Sequence, residues 1–421
     1  MTSVFNWKRN VALFLAGQGL TLFGSMLVHY AVMWHITLRT QSGVMMTFIV
    51  VAGALPMFFI SPFGGVLADR YNKKLIINTA DATIAVVTLG MAVIFSLGAD
   101  MVGLLLLCLV VRALGQGVQT PAVNAIIPEL VPQEHLTRVN GVSGSINSLV
   151  MFASPMAGGA LLAVAPIQML MFVDVVTAAI GISILFFFVK TPYSSMKTKK
   201  AGGAGQYFIE IREGLRYVRT QAFVLKFIIL NAVYSVMVAP AAVMTPLQVA
   251  RNWGDGVWSV LGGLPFGAEH RLAAIEVMFS AGMMLGGLVI GVWGGFKNKS
   301  HSMALAMFLF GIGATALGLI TNFWLYLVCM CLTGLVMGLF NAPMMATLQA
   351  NVNPDFMGRV FSLLAMISSL MMPLGMVVWG PLGDIVAIDW LLVGTGGFLF
   401  LGGFIFVFDK TLLRAGASIK R

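Results

Sequence analysis

Four ionisable residues, Asp81, Arg112, Asp174 and Glu276, stand inside long apolar runs of this sequence. A charge so placed is costly, so such groups generally face a protein interior or a water-filled cavity and handle ions or protons. Proton coupling needs a carboxylate whose protonation changes with its exposure, because desolvation favours the neutral form. Glu276 suits that role. A fixed positive charge nearby reverses the effect, so an Arg112–carboxylate pair that breaks as its surroundings reorient would act as a switch. Which acid Arg112 meets is left open by the sequence, and the alternatives are a static buried pair or side chains that reach the headgroups.

Between the second and third runs, residues 65–74 read GVLADRYNKK. Gly65 permits close helix packing, Asp69 can accept hydrogen bonds at a helix end, and Arg70, Lys73 and Lys74 crowd a tight turn. Asn72 tolerates left-handed backbone better than most residues. Further on, Ser154-Pro155-Met156-Ala157-Gly158-Gly159 is expected to form a kinked, closely packed pivot, since Pro removes one helix bond and Gly admits a neighbouring backbone. His29 and His35 read as interfacial polar residues rather than proton carriers. Cys108, Cys329 and Cys331 all lie in apolar runs and read as small packing residues, not as a disulfide or zinc set. Trp253, Trp258 and Phe266 stand among glycines and read as an interfacial aromatic belt. The 29 Met and 30 Phe would suit an adaptable cavity for bulky apolar ligands. There is no G-x-x-x-x-G-K-[ST], H-E-x-x-H or G-x-S-x-G motif, so energy is expected from an ion or substrate gradient, with no cofactor.

The elements that must position these groups follow from composition. In 421 residues, 59% are hydrophobic and 10% charged, far from the roughly 45–50% and 25% of soluble domains. A water-soluble fold is excluded. Runs such as 102–109 and 180–189 are apolar all round, which excludes the alternating strands of a membrane barrel. A helical crossing takes about 20 apolar residues, and runs of that length fall at 11–36, 44–67, 75–97, 103–125, 139–164 and 168–189. A second six fall at 224–248, 271–293, 302–320, 324–350, 359–383 and 390–408. The fold class is therefore an all-α membrane protein of twelve transmembrane helices. No small-residue cleavage signal follows the first run, which is expected to be a retained span.

Lys and Arg accumulate in cytoplasmic loops. With the N-terminus inside, 21 of the 25 basic residues fall on the cytoplasmic side, only Arg39, Arg251 and Arg271 outside, and Arg112 within a span. The net charge of +10 is then topological and faces an anionic inner leaflet, with no nucleic-acid partner implied. The hydrophilic stretch 190–226 divides the chain into a half at 1–190, a linker at 191–223 and a half at 224–421. Within the linker, 207–220 has the spacing of an amphipathic interfacial helix. Pro121 and Pro132 align with Pro343 and Pro354 at an offset of 222, as Gly64-Gly65 does with Gly286-Gly287. Such repetition is what transporters built from two six-span halves show.

Together these residues resemble a bacterial major facilitator superfamily exporter, most similar to the macrolide-efflux (Mef-type) drug:proton antiporters. The loop 65–74 resembles the signature G-x-x-x-D-R-x-G-R-[RK], departing at Asn72 and Lys73. Arg112-Ala-Leu-Gly with Thr120-Pro121-Ala122 and Leu130-Val131-Pro132 resembles the fourth-span region of those exporters, as does 358–363 in the second half. The resemblance implies two pseudo-twofold six-helix halves and a latch of Gly65, Asp69, Arg70, Lys73 and Lys74, which Glu129 would complete with Arg70. It assigns Arg112 to proton transfer, beside the candidate acids Asp81, Asp174 and Glu276. The fifth-span antiporter signature is met at Gly141, Pro155, Gly158 and Gly159 but not at Val150 and Ser154. The expected protein is a monomer of the bacterial inner membrane with both termini cytoplasmic. It would export a bulky hydrophobic, macrolide-like drug by proton antiport, or alternatively a siderophore or endogenous metabolite. A membrane enzyme or lipid scramblase fits less well, because the spans offer no clustered nucleophile and base.

Overall fold

The computed structural model describes residues 6–98, 101–190, 212–213, 215–254, 258–260 and 264–417. Hydrocarbon offers backbone groups no partner, so a crossing segment must satisfy its own N–H and C=O groups as a helix. Twelve helices among the described residues are long and apolar enough to cross a membrane. The first six are α1 (Trp7–Thr40), α2 (Gly43–Arg70), α3 (Lys73–Ser96), α4 (Val102–Leu130), α5 (Leu136–Val164) and α6 (Ile167–Ser183), the last continued by a π turn Ile184–Phe188. Most of the linker expected at 191–223 lies outside the described residues; of the amphipathic helix expected at 207–220, residues 212–213 and 215–220 are helical.

The seventh span is longer than the expected 224–248. It runs as α7 (Ala222–Ala239), a π turn Pro240–Met244, and α8 (Thr245–Trp253). Pro240 lacks an N–H, and the wider turn carries the helix past it instead of ending it. After a hairpin of β1 (Trp258–Val260) and β2 (Leu264–Phe266), paired antiparallel, come α9 (Ala268–Trp293), α10 (Lys299–Leu319), α11 (Phe323–Asn351), α12 (Pro354–Ile385), α13 (Ile388–Phe408) and the short α14 (Lys410–Ala417). Apart from this hairpin the described chain is helical, in agreement with the composition.

The chain forms two compact units, Met1–Ile36 with Val51–Tyr207, and Thr37–Val50 with Phe208–Arg421. In the first, a buried cluster including Val11, Phe14, Ile77, Ala122, Ile126 and Leu185 packs the end where α1 and α3 begin and α4 and α6 finish. Helices in lipid gain little from hydrophobicity and rely on close packing at small residues. Gly64 of α2 lies against Gly117 and Val118 of α4. In the second unit Gly286 of α9 lies against Leu335 of α11, and Gly338 of α11 against Met283 and Gly287. The sequence repeat is thus the same glycine-mediated crossing built once in each unit. The close approach is made at Gly64, not at Gly65 as the loop suggested; a Cβ on Gly65 would meet nothing among the described residues.

A Cβ at Gly338 would strike the backbone of α9. Gly338→Leu is expected to destabilise the protein by about 1–3 kcal/mol through overpacking. Gly287→Leu, where a Cβ meets open space, is expected to leave the melting temperature in detergent nearly unchanged. At the end of α13, Asp409 accepts from the backbone N–H groups of Thr411 and Leu412 and from Lys226 Nζ at 2.6 Å. The Lys226 ammonium holds the Asp409 carboxyl below the usual carboxylate range. A depressed carboxylate stabilises above its unfolded value, so this cap is intact at neutral pH and is lost only as pH falls below about 3.9.

Candidate functional site

Arg112 sits ten residues into α4, about 15 Å from that helix's start at 1.5 Å per residue. It is 3% exposed and makes an ion pair at 2.5 Å with Asp174 of α6, itself 1% exposed. The same guanidinium donates to Thr88 Oγ1 of α3 and, at 3.1 Å, to the Ser25 carbonyl of α1. The Ser25 hydroxyl donates to Asp174 Oδ1 at 3.4 Å. Four helices therefore meet on one charge pair. Gly24 makes this possible: a Cβ there would run into Thr177 Oγ1 and crowd Asp174, so any larger residue would push α1 away from α6. A buried pair survives in low dielectric only when its remaining donors and lone pairs are satisfied, and Thr88 and Ser25 supply those bonds.

Asp81 joins a second polar group. Its Oδ1 accepts from Gln119 Nε2 at 2.6 Å, and that same nitrogen lies 3.4 Å from Gln18 Oε1 of α1. Asp81 is 1% exposed and lies one turn from Asn78 on the same face of α3. Glu276 of α9 is partly buried and makes no hydrogen bond or ion pair among the described residues. The structure thus places Arg112, Asp174 and Asp81 in the first unit and Glu276 in the second.

The 65–74 loop departs from expectation at two points. Asn72 does not adopt left-handed backbone; at φ −63°, ψ 109° it caps α3, accepting from the N–H groups of Lys74 and Leu75. Glu129, expected to meet Arg70, is bonded instead to Lys73 Nζ at 2.7 Å; Arg70 is exposed and the side chain of Asp69 lies outside the described residues. Lys74 Nζ donates to the carbonyls of Phe186 and Val189 at 2.8 Å each, satisfying acceptors at the π turn. Asn72→Ala should cost about 1 kcal/mol as the loss of an N-cap. Lys73→Ala, breaking a partly exposed pair, should cost less than about 1 kcal/mol. Thermal unfolding of the two variants checks the order.

In α5, a Cβ at Gly158 would stand 3.5 Å from the Trp34 ring of α1, an ordinary contact, and one at Gly141 would meet nothing among the described residues. Gly159 and Pro155 are buried. The expected tight pivot is thus a normally packed α1–α5 contact. His29 lies edge-on to Tyr30 and His35 to Phe95. The aromatic belt is a packed cluster: Trp253 contacts Phe323 and Tyr326, and Phe266 contacts His270 and Trp324. Arg271, fully buried, donates to the carbonyls of Trp253 and Phe266, so this basic residue is a structural clamp.

Sequence reading missed the group around Asp384. This carboxylate, at the end of α12, accepts from Ser42 Oγ at 2.8 Å, from the N–H groups of Gly43 and Val44 at 2.6 and 3.0 Å, and from Arg251 at 2.8 Å. It caps the start of α2. Arg251 donates further to the Gln41 and Gly383 carbonyls. Gly43 lies against Gly380, and Thr47 donates to the Met376 carbonyl at 2.7 Å. These bonds explain why 37–50 belongs to the second unit although α1 and α2 otherwise belong to the first. Gln119 was also missed, although its spacing of seven from Arg112 puts it on the same helix face. A cavity of about 230 Å³ lies in the second unit, lined by Asn231, Tyr234, Met307, Phe340 and Phe398 among others; drug-sized ligands occupy roughly 300–1,000 Å³, so it is too small for a bulky substrate.

The sequence profile described as Major Facilitator Superfamily matches residues 10–269. Macrolide efflux protein A of Streptococcus pyogenes is 28% identical over 394 residues, covering 93% of this chain and 94% of that protein. The multidrug efflux pump Tap of Mycobacterium bovis (strain BCG / Pasteur 1173P2) is 22% identical, covering 83% and 81%. Among solved structures, the nucleoside transporter NupG superposes with a TM-score of 0.69 at 15% identity, covering 96% of this chain and 98% of that one. A POT family transporter in complex with a thioalcohol-conjugated peptide superposes with a TM-score of 0.72 at 13% identity, covering 95% of each. These structural likenesses establish the fold alone.

Proposed function

The chain belongs to the major facilitator superfamily, and from that premise we propose that this multi-pass membrane transporter exports bulky, mostly apolar compounds of the macrolide type in exchange for protons. The observation that carries the substrate class is the 28% identity to a macrolide efflux protein across 93% of the chain. Proton exchange is supported by the Arg112–Asp174 pair, buried where α1, α3, α4 and α6 meet. A proton arriving on Asp174 Oδ2 would cancel the carboxylate charge and free Arg112 from its ionic partner. Departure of that proton would restore the pair. Two protonation states would then favour two arrangements of the four helices, which is what coupling a gradient to reorientation requires. Glu276, in the second unit and without an ion-pair partner among the described residues, is a second candidate carrier. No cofactor enters this scheme, and the transporter is assigned to the bacterial inner membrane as a monomer with both termini cytoplasmic.

Accumulation of labelled erythromycin in pump-deficient cells tests the proposal. Cells making the protein should accumulate less drug than empty-vector cells, and a protonophore should abolish the difference. Asp174→Asn should behave like empty vector. Equal accumulation, with the protein shown to be in the membrane, would remove the macrolide assignment in favour of export of a siderophore or other metabolite. Export that persists under the protonophore would remove proton exchange.

A further inference from the structure

Beside the Arg112 network, the first unit holds a carboxylate that no cation balances among the described residues. Asp81 lies about 12 Å along α3 from Lys73 at 1.5 Å per residue and is 1% exposed. The guanidinium of Arg112 is committed to Asp174, and no ion pair reaches Asp81 among the described residues. An isolated ionised carboxylate at that depth is among the costliest groups a membrane protein can carry. Asp81 Oδ1 has the Gln119 amide, but among the described residues Oδ2 has no hydrogen-bond partner, and neither has either amide atom of Asn78, which is 6% exposed. Buried polar atoms are nearly always satisfied, and those that are not call for a specific explanation. Asn78 and Asp81 stand three residues apart on one helix face, where side chains are neighbours. Gln18 of α1 turns its side-chain amide N–H toward the Asp81 carboxylate, and its Oε1 lies 3.4 Å from the Gln119 nitrogen.

We propose that Asp81 and Asn78, steadied by Gln119 and Gln18, form a site for a small monovalent cation, Na+, in competition with a proton on Asp81 Oδ2. The free ligands, Asp81 Oδ2 and Asn78 Oδ1, are oxygens, as hard cations prefer, and their one formal negative charge matches one positive charge. The site draws on α1, α3 and α4, three of the four helices that hold Arg112 and Asp174, so occupancy at Asp81 bears directly on the packing of that pair. Arg112 on α4 and Asp174 on α6 are the charged groups of the neighbouring network; the α1 contribution, Gln18, is neutral. The site is distinct from the drug reading and would stand whatever compound is exported.

Binding of radiolabelled Na+ to the purified full-length protein in detergent tests it. At pH 8.5 the wild type should show saturable binding that excess NaCl displaces and excess KCl does not. Asp81→Asn, which is isosteric and uncharged, should lower the affinity at least tenfold, and Asn78→Ala several-fold. At pH 5.5, where a proton takes Oδ2, wild-type binding should weaken. Absence of saturable binding, equal displacement by KCl, or unchanged affinity in both variants would overturn the site. Because binding is read rather than transport, that failure would leave the export proposal untouched.

Discussion

Arg112→Leu is expected to cost about 3–5 kcal/mol of stability, because it strands the Asp174 carboxylate in a site built for a charge pair. Asp174→Asn should destabilise by less, since the amide retains an acceptor for Ser25 or Arg112 but leaves the guanidinium charge uncompensated. The double variant Arg112→Leu/Asp174→Leu should recover most of the loss, as replacement of a buried pair by apolar groups of similar volume is often neutral. Thermal unfolding of wild type, singles and double closes a cycle whose interaction term reports the pair directly. Efflux separates the two roles of the pair. If it only holds helices together, the stable double variant should export drug; if it couples protonation to reorientation, the double should be folded and inactive. Equal stability in Arg112→Leu and wild type would show that the pair is not the buried, balanced unit described here.

Asp384→Ala is expected to release the 37–50 hairpin. Four donors converge on this carboxylate, three from the start of α2 and one from Arg251. Hydrogen bonds to charged groups contribute about 1.5–3 kcal/mol when buried. The Arg251 pair is 28% and 29% exposed, so water takes up part of each loss, and about 1.5–3 kcal/mol is a fair total for the group. That corresponds to roughly a 10- to 100-fold rise in the population of released hairpin, at 1.4 kcal/mol per tenfold. A cysteine introduced at Val44 reports it: its rate of modification by an impermeant maleimide on intact cells should rise by that factor in Asp384→Ala. Asp384→Asn, which keeps one acceptor for the Gly43 N–H but loses the ion pair, should fall between. Rates within twofold of one another in all three would mean that the hairpin is held by its Gly43–Gly380 packing and not by this carboxylate.

The Asp384 group shows what linear reading misses. Arg251 was visible as one of three basic residues off the cytoplasmic side, and Asp384 as a charge at the end of a run, but nothing in either position points to the other, 133 residues apart. Ser42 and Gly43 contribute a hydroxyl and a backbone N–H, which no composition or periodicity marks as functional. Asn72 shows the reverse error. Its residue type allowed a left-handed turn or a helix cap, and the choice depended on α3 starting at the next residue. Gly64 and Gly65 differ by one position, yet 100° of helical rotation separates a backbone contact from open space.

Hydropathy along the chain sufficed for the all-α class and twelve spans, because crossing a hydrocarbon layer constrains each segment by itself: about 20 apolar residues with every backbone bond made internally. The offset of 222, one less between Gly117 and Gly338, likewise announced two similar halves, since Gly64–Gly117 and Gly286–Gly338 are the same crossing written twice. Depth was also legible, so Asp81, Arg112, Asp174 and Glu276 stood out as charges that need an explanation. Which of them meet was decided only in three dimensions. A side chain's partner depends on the rotation and separation of neighbouring helices, and these are set by contacts between residues far apart in the chain, such as Gly24 against Thr177. That contact brings Ser25, Thr88, Arg112 and Asp174 together, and leaves Asp81 to Gln119 and Gln18.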